Sequence, residues 1–110
     1  MNLQITDDGK GLKAIAQPVN LARQNIGLPA GESLAWTFDP DPTVGVIQND
    51  PSDSTGLTID VVEPLKDSTN NKLKLTGTAS DGTQVSDESE QFDIVADPKL
   101  GGFTFQLSAQ

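Results

Sequence analysis

Sixteen of the 110 residues are Asp or Glu, and four of them, Asp39, Asp41, Asp50 and Asp53, fall in two loops punctuated by proline. A Ca²⁺ ion takes about six to eight oxygen ligands at ~2.3–2.6 Å, several of them carboxylate. Asp39, Asp41, Asp50 and Asp53 supply four carboxylates, and Pro40 and Pro42 hold extended backbone whose carbonyls are free to coordinate. The expectation is no cofactor, with calcium as the one candidate and these four residues as its ligands. No Asp-x-Asp-x-Asp-Gly run ends in a bidentate Glu, so an EF-hand is excluded. The competing reading is that Asp-Pro simply opens turns.

Other chemistries lack their residues. The chain has no Cys and no His, which removes disulfides, thiolate zinc sites, imidazole metal sites and a Ser-His-Asp triad. Glycoside hydrolysis needs two carboxylates fixed across a cleft, one with a raised pKa. The acids here sit in loops, and one Trp and no Tyr are present to line a sugar subsite. Gly9-Lys10-Gly11 lacks the Gly-x-x-x-x-Gly-Lys-Ser/Thr frame of a phosphate loop. The expectation is a non-enzyme with no catalytic residues.

The net charge is −9, from seven basic and sixteen acidic side chains. Nucleic-acid binding is driven by Lys and Arg displacing counterions from phosphate. Lys10, Lys13, Arg23, Lys66, Lys72, Lys74 and Lys99 are scattered, so neither nucleic acid nor an anionic membrane is an expected partner. An acidic DNA mimic needs carboxylates at phosphate-like intervals on one surface, whereas these are spread through loops and edges. No stretch approaches the ~20 apolar residues of a membrane span. Residues Met1 to Asp8 contain no basic n-region and no apolar h-region, so no signal peptide is expected.

The elements that must position the acids read as strands. Apolar residues alternate at Leu34, Trp36 and Phe38; Val44 and Val46; Leu57, Ile59 and Val61; Leu73 and Leu75, continuing through Gly77 and Ala79; Phe92 and Ile94; and Phe103, Phe105 and Leu107. Leu3, Ile5, Leu12 and Ala14 repeat the pattern more weakly. Period-two alternation with one wet face is the pattern of antiparallel sheets. Val19–Ile26 reads as a strand or at most one helical turn, ended by Gly27 and Pro29. Asp, Asn, Gly and Pro clusters separate the segments, and Asp81-Gly82 predicts a hairpin turn between Leu73–Ala79 and Phe92–Ala96. The run Asp87-Glu88-Ser89-Glu90 reads as a solvated strand edge, where charge resists edge-to-edge association. Gly101-Gly102 reads as a bulge or turn before the last strand.

Two segments resemble bacterial Ig-like domains of group 2. Leu34-Ala35-Trp36-Thr37-Phe38-Asp39-Pro40-Asp41-Pro42-Thr43-Val44-Gly45-Val46 is similar to a v-x-W-x-x-x-D-P-x-x-V-x-x-V passage of that family. Lys72–Gly82 followed by Phe92–Pro98 is similar to its closing hairpin. The resemblance covers residues 17–98. It departs from the pattern where the Gly-x-Ala-x-Ile strand is absent, where the loop from Val46 to Leu57 is long, and in the additional segment at Phe103. It implies a spacer or adhesive module of a bacterial surface protein, or a decoration of a phage virion.

The expected fold is a single domain over 1–110, an all-β Ig-like β-sandwich of seven or eight antiparallel strands. Its expected core is Ile5, Leu34, Trp36, Phe38, Val44, Val46, Leu57, Ile59, Val61, Leu73, Leu75, Phe92, Ile94, Phe103, Phe105 and Leu107. Trp36 shares the parity of Leu34 and Phe38, which favours packing over a glycan-stacking platform. The expected function is a non-enzymatic structural or adhesive module, placed at a cell surface or in a virion as part of a larger assembly. Its partner would be a protein or a glycan. The alternative is a Ca²⁺-stiffened, glycan-binding adhesin domain, and behind it an acidic DNA mimic.

Overall fold

Alternating apolar residues bounded by turn formers fold as strands wherever a second strand completes the backbone hydrogen bonding. A computed structural model describes residues 2–6, 11–95, 100 and 102–110. These contain eight strands and no helix: β1 (Leu3–Thr6), β2 (Leu12–Ile15), β3 (Ser33–Asp39), β4 (Val46–Asn49), β5 (Thr58–Val62), β6 (Ser68–Thr78), β7 (Gln84–Glu88) and β8 (Phe92–Val95). They form two sheets. The larger has the order β1-β8-β6-β3, with β7 also paired to β6, and the smaller has the order β2-β5-β4.

The all-β expectation holds, and the two sheets have the arrangement of a β-sandwich. Ile5, Phe38, Leu73, Phe92 and Ile94 of the larger sheet form one buried cluster with Ile59 and Val61 of the smaller sheet and with Val44. The rings of Phe38 and Phe92 lie 6.4 Å apart and tilted, within the range of a favourable aromatic pair. One pairing departs from the expectation of wholly antiparallel strands: β1 runs parallel to β8, with Leu3 opposite Phe92 and Thr6 opposite Val95.

Three further corrections concern register and pairing. Phe103, Phe105 and Leu107 belong to no strand and are 76%, 82% and 93% exposed, so they are not core. Their alternation specifies an apolar face but supplies no partner. Val46 is also exposed, and Ile47 packs on the core instead. The reason is that residues 42–45 form a turn, with Val44 buried in it and its carbonyl accepting the Lys66 amide at 2.8 Å. β4 therefore starts at Val46, one register step from the expected alternation, and a one-residue slip turns every side chain over. Leu34, Trp36, Leu57 and Leu75 are half-buried, with Trp36 packed against the core.

The Asp81-Gly82 turn joins β6 to β7, a fully exposed strand, and not directly to β8. Gly82 has φ +87°, and the Thr83 amide donates to Asp81 Oδ1 at 2.9 Å. Asp87 and Glu88 lie in β7 at the sheet margin, exposed to solvent as their charge requires. Residues 19–26 form a loop closed by a bridge between Val19 and Asn25 and by Asn20 Oδ1, which accepts the amides of Ala22 and Gln24. Gly101 lies outside the described residues.

Candidate functional site

The segment of residues 50–57 links β4 to β5 and carries two of the four expected metal ligands. Its shape follows from a repeated local pattern, Asp-x-Ser/Thr. Asp50 Oδ1 accepts both the amide and the hydroxyl of Ser52, at 2.9 and 2.7 Å. Asp53 Oδ1 accepts the same two groups of Thr55, at 3.0 and 2.6 Å. Asp41 Oδ1 does so with Thr43, at 2.9 and 2.6 Å. A carboxylate that reaches the amide two residues on makes an Asx turn, and the hydroxyl adds a second bond to the same oxygen.

The second oxygen of each of these acids is also engaged. Asp50 Oδ2 accepts the Lys13 ammonium, which reaches Asp60 as well at 3.2 Å. Lys13 and Asp60 are register partners across β2 and β5, so the sheet itself brings the cation there. Asp53 Oδ2 accepts the Thr58 hydroxyl at 2.6 Å, and Asp41 Oδ2 accepts Lys66 at 3.1 Å.

Hydrogen bonds to the ionised form lower a carboxyl pKa. The Lys13 ammonium, then Ser52, hold Asp50 far below the usual carboxylate range. The Thr43 hydroxyl and amide, then Lys66, hold Asp41 at about 2. Thr55 and Thr58 lower Asp53. Asp50 and Asp60 raise Lys13.

Asp50 and Asp53 are brought together: the Asp53 amide donates to the Asp50 carbonyl at 3.1 Å. Asp39 and Asp41 do not join them. Asp39 ends β3 opposite Lys72, in the larger sheet, and Asp41 is tied to Lys66. Among the described residues, no three Asp or Glu side chains converge in a geometry that could hold a metal ion.

Asp50 and Asp53 instead line an open cleft of about 400 Å³ with Pro51, Ser54, Thr55 and Gly56 on one wall and Glu32, Leu34 and Trp36 on the other. Trp36 Nε1 donates to the Gly56 carbonyl at 2.8 Å, pinning this loop to β3. The indole edge therefore holds the loop while the ring packs on the core, as the shared parity with Phe38 predicts. Asp50 and Asp53 reach the cleft with both oxygens already engaged, so this wall offers a ligand polar groups that are largely satisfied.

Lys13, Asp60 and Glu32 are not distinguished in the sequence, because only the β2–β5 register and the fold of the loop onto β3 bring them in. The Asp-x-Ser/Thr pattern at Asp41, Asp50 and Asp53 is a visible signal for turns. A second polar node joins strands of the larger sheet. Asp93 Oδ1 accepts the Asn2 side chain at 3.0 Å and the Asn70 amide at 2.9 Å, and Asn70 has φ +58° at a register shift of β6. Among the described residues, no helix is long and apolar enough to cross a membrane. Comparison with protein-family models, with curated proteins and with solved structures finds no match to this chain.

Proposed function

We propose that the chain is a non-enzymatic Ig-like module that bears load or carries an adhesive surface in a bacterial surface protein or phage particle. The Ig-like assignment is supported by strand order. In chain order, β2, β3, β4, β5, β6 and β8 correspond to strands B, C, D, E, F and G. The small sheet then reads B-E-D and the large one G-F-C. Trp36 lies on the C equivalent, although no disulfide stands behind it because the chain lacks Cys. The non-enzymatic reading is supported by acids that are spent on turns and lysines.

The observation that carries the load-bearing role is the parallel pairing of β1 with β8. Among the described residues, β1 is the first strand and β8 the last. A pull on the two ends drags these parallel strands in opposite directions along their length. The ladder is then loaded in shear, so its hydrogen bonds share the force rather than opening one after another. Single-molecule pulling tests this. End-to-end extension is expected to require a clearly higher unfolding force than extension through handles at residues 43 and 63. Those handles open the antiparallel β4–β5 pair from its end. Equal forces, or a weaker end-to-end response, would refute the load-bearing role.

The adhesin alternative draws on the cleft at Trp36. A Ca²⁺ titration followed by backbone amide NMR separates the two. Shifts confined to residues 39–53 at millimolar Ca²⁺ would favour a metal-stiffened adhesin, and their absence would favour the load-bearing module.

A further inference from the structure

The segment Gly102–Gln110 carries no charged residue in a chain of net charge −9. Phe103, Phe105 and Leu107 share one parity and are exposed, and among the described residues no hydrogen bond joins this segment to the sheets. Three large apolar side chains at alternate positions would share one face of a strand if a neighbour completed its backbone hydrogen bonds. Such a segment associates with an open sheet edge, because the edge offers unpaired backbone groups and the apolar face gains cover.

The edges of the two sheets are not equally open. β1, β2 and β4 have four residues each, β2 carries Lys13, and β7 carries Asp87 and Glu88. β3 has seven residues, pairs only with β6, and contains no charge or proline before Asp39. Its outward residues Ser33, Ala35 and Thr37 are small and exposed. Its inward residues Leu34 and Trp36 are only half-buried beside the cleft, whereas Phe38 is fully covered.

We propose that residues 103–107 add as a strand to the free edge of β3 in a second copy of this chain. Phe103, Phe105 and Leu107 match the i, i+2, i+4 spacing of Leu34, Trp36 and Phe38, so one docked strand extends that apolar row toward the cleft. Thr104 and Gln106 then continue the neutral outward row of Ala35 and Thr37. Aromatic cross-strand pairs of this kind favour one register. Donor and acceptor are different surfaces, so the contact is head-to-tail: two chains can exchange segments reciprocally, or a row of chains can form. The inference rests on the reading of the chain as a module of an assembly.

The test uses the full chain. Sedimentation across a concentration series is expected to show species larger than the monomer. Phe105→Asp, at a site that is exposed in the monomer and therefore spares the fold, is expected to weaken association at least about ten-fold. Thr37→Lys, which guards the β3 edge, is expected to do the same. Because the chain has no native Cys, mixing Ala35→Cys chains with Thr104→Cys chains under oxidation is expected to yield a crosslinked heterodimer. A strictly monomeric wild type overturns the proposal, as does association unaffected by Thr37→Lys. Efficient closure within single chains carrying both cysteines, without crosslinking between chains, would show the segment docking on its own β3 and also overturns it. None of these outcomes alters the end-to-end pulling force of a monomer, so failure here is distinct from failure of the load-bearing role.

Discussion

Ile59 lies in β5, the strand between β2 and β4, with no exposed surface, and contributes to the cluster shared by both sheets. Ile59→Ala removes three buried carbons. At roughly 0.8 kcal/mol each, the lost transfer energy is about 2.4 kcal/mol. A residual cavity adds to that, because neighbours anchored in two hydrogen-bonded sheets relax little, giving a total near 3–4 kcal/mol. Ile59→Val removes one carbon and is expected to cost about 1 kcal/mol. Ile15, 74% exposed on neighbouring β2, serves as the control, and Ile15→Ala is expected to stay within about 0.5 kcal/mol. Urea unfolding followed by the fluorescence of Trp36, the single tryptophan, measures all three. The m-value should remain constant while the midpoint falls. An Ile59→Ala cost below about 1 kcal/mol, or one equal to that of Ile15→Ala, would refute the claim that the sheets enclose a common close-packed core.

Two other expectations follow from backbone and charge. Gly11 has φ +61°, and a Cβ placed there would overlap the Val61 carbonyl oxygen. Gly11→Ala is therefore expected to cost about 1–3 kcal/mol or more in thermal or urea unfolding, and a neutral result would refute the close approach of Gly11 to Val61. Asp41, Asp50, Asp53, Asp81 and Asp93 all titrate below their ordinary range when folded, through bonds led respectively by Thr43, Lys13, Thr55, Thr83 and Asn2. The unfolded chain then binds more protons as acid is added. The stability from these groups is fully present above the unfolded carboxyl pKa of about 3.9 and is lost as pH falls toward and below 2. Urea midpoints should fall steadily from about pH 5 downward, less so in Asp41→Asn, and a flat profile to pH 2.5 would contradict the hydrogen-bonded turns.

The sequence shows most of the strands because burial on one face leaves a period of two, as in Leu34–Phe38 and Leu57–Val61. It misleads where burial and strand membership separate. Val44 is buried in a turn, which shifts the apparent alternation off β4 by one residue. β7 is legible only as an acidic edge, since a strand wet on both faces has no apolar period. Phe103–Leu107 has the period without a partner, and pairing is a non-local property. The site shows the same division. Asp41, Asp50 and Asp53 are each placed by a contact two residues away, so their turns can be read directly. Their lysines lie 25 residues away for Asp41 and 37 for Asp50, and only the folded sheets bring them in.

The β1–β8 ladder also constrains the order in which the chain can be completed during synthesis. Leu3 is made before the other strands of both sheets, yet its partner Phe92 follows 89 positions later. Closing so long a loop adds only a slowly growing entropic cost, but no closure can begin before β8 leaves the ribosome. The β2-β5-β4 sheet and the β3–β6–β7 pairs are complete by Glu88, so they can assemble first. β1 waits beside them as an unpaired edge with Ile5 uncovered. Final burial of Ile5 and Ile94 is then a late step, and a ribosome stalled before Phe92 would hold a chain with the smaller sheet formed and its N-terminal strand unclaimed.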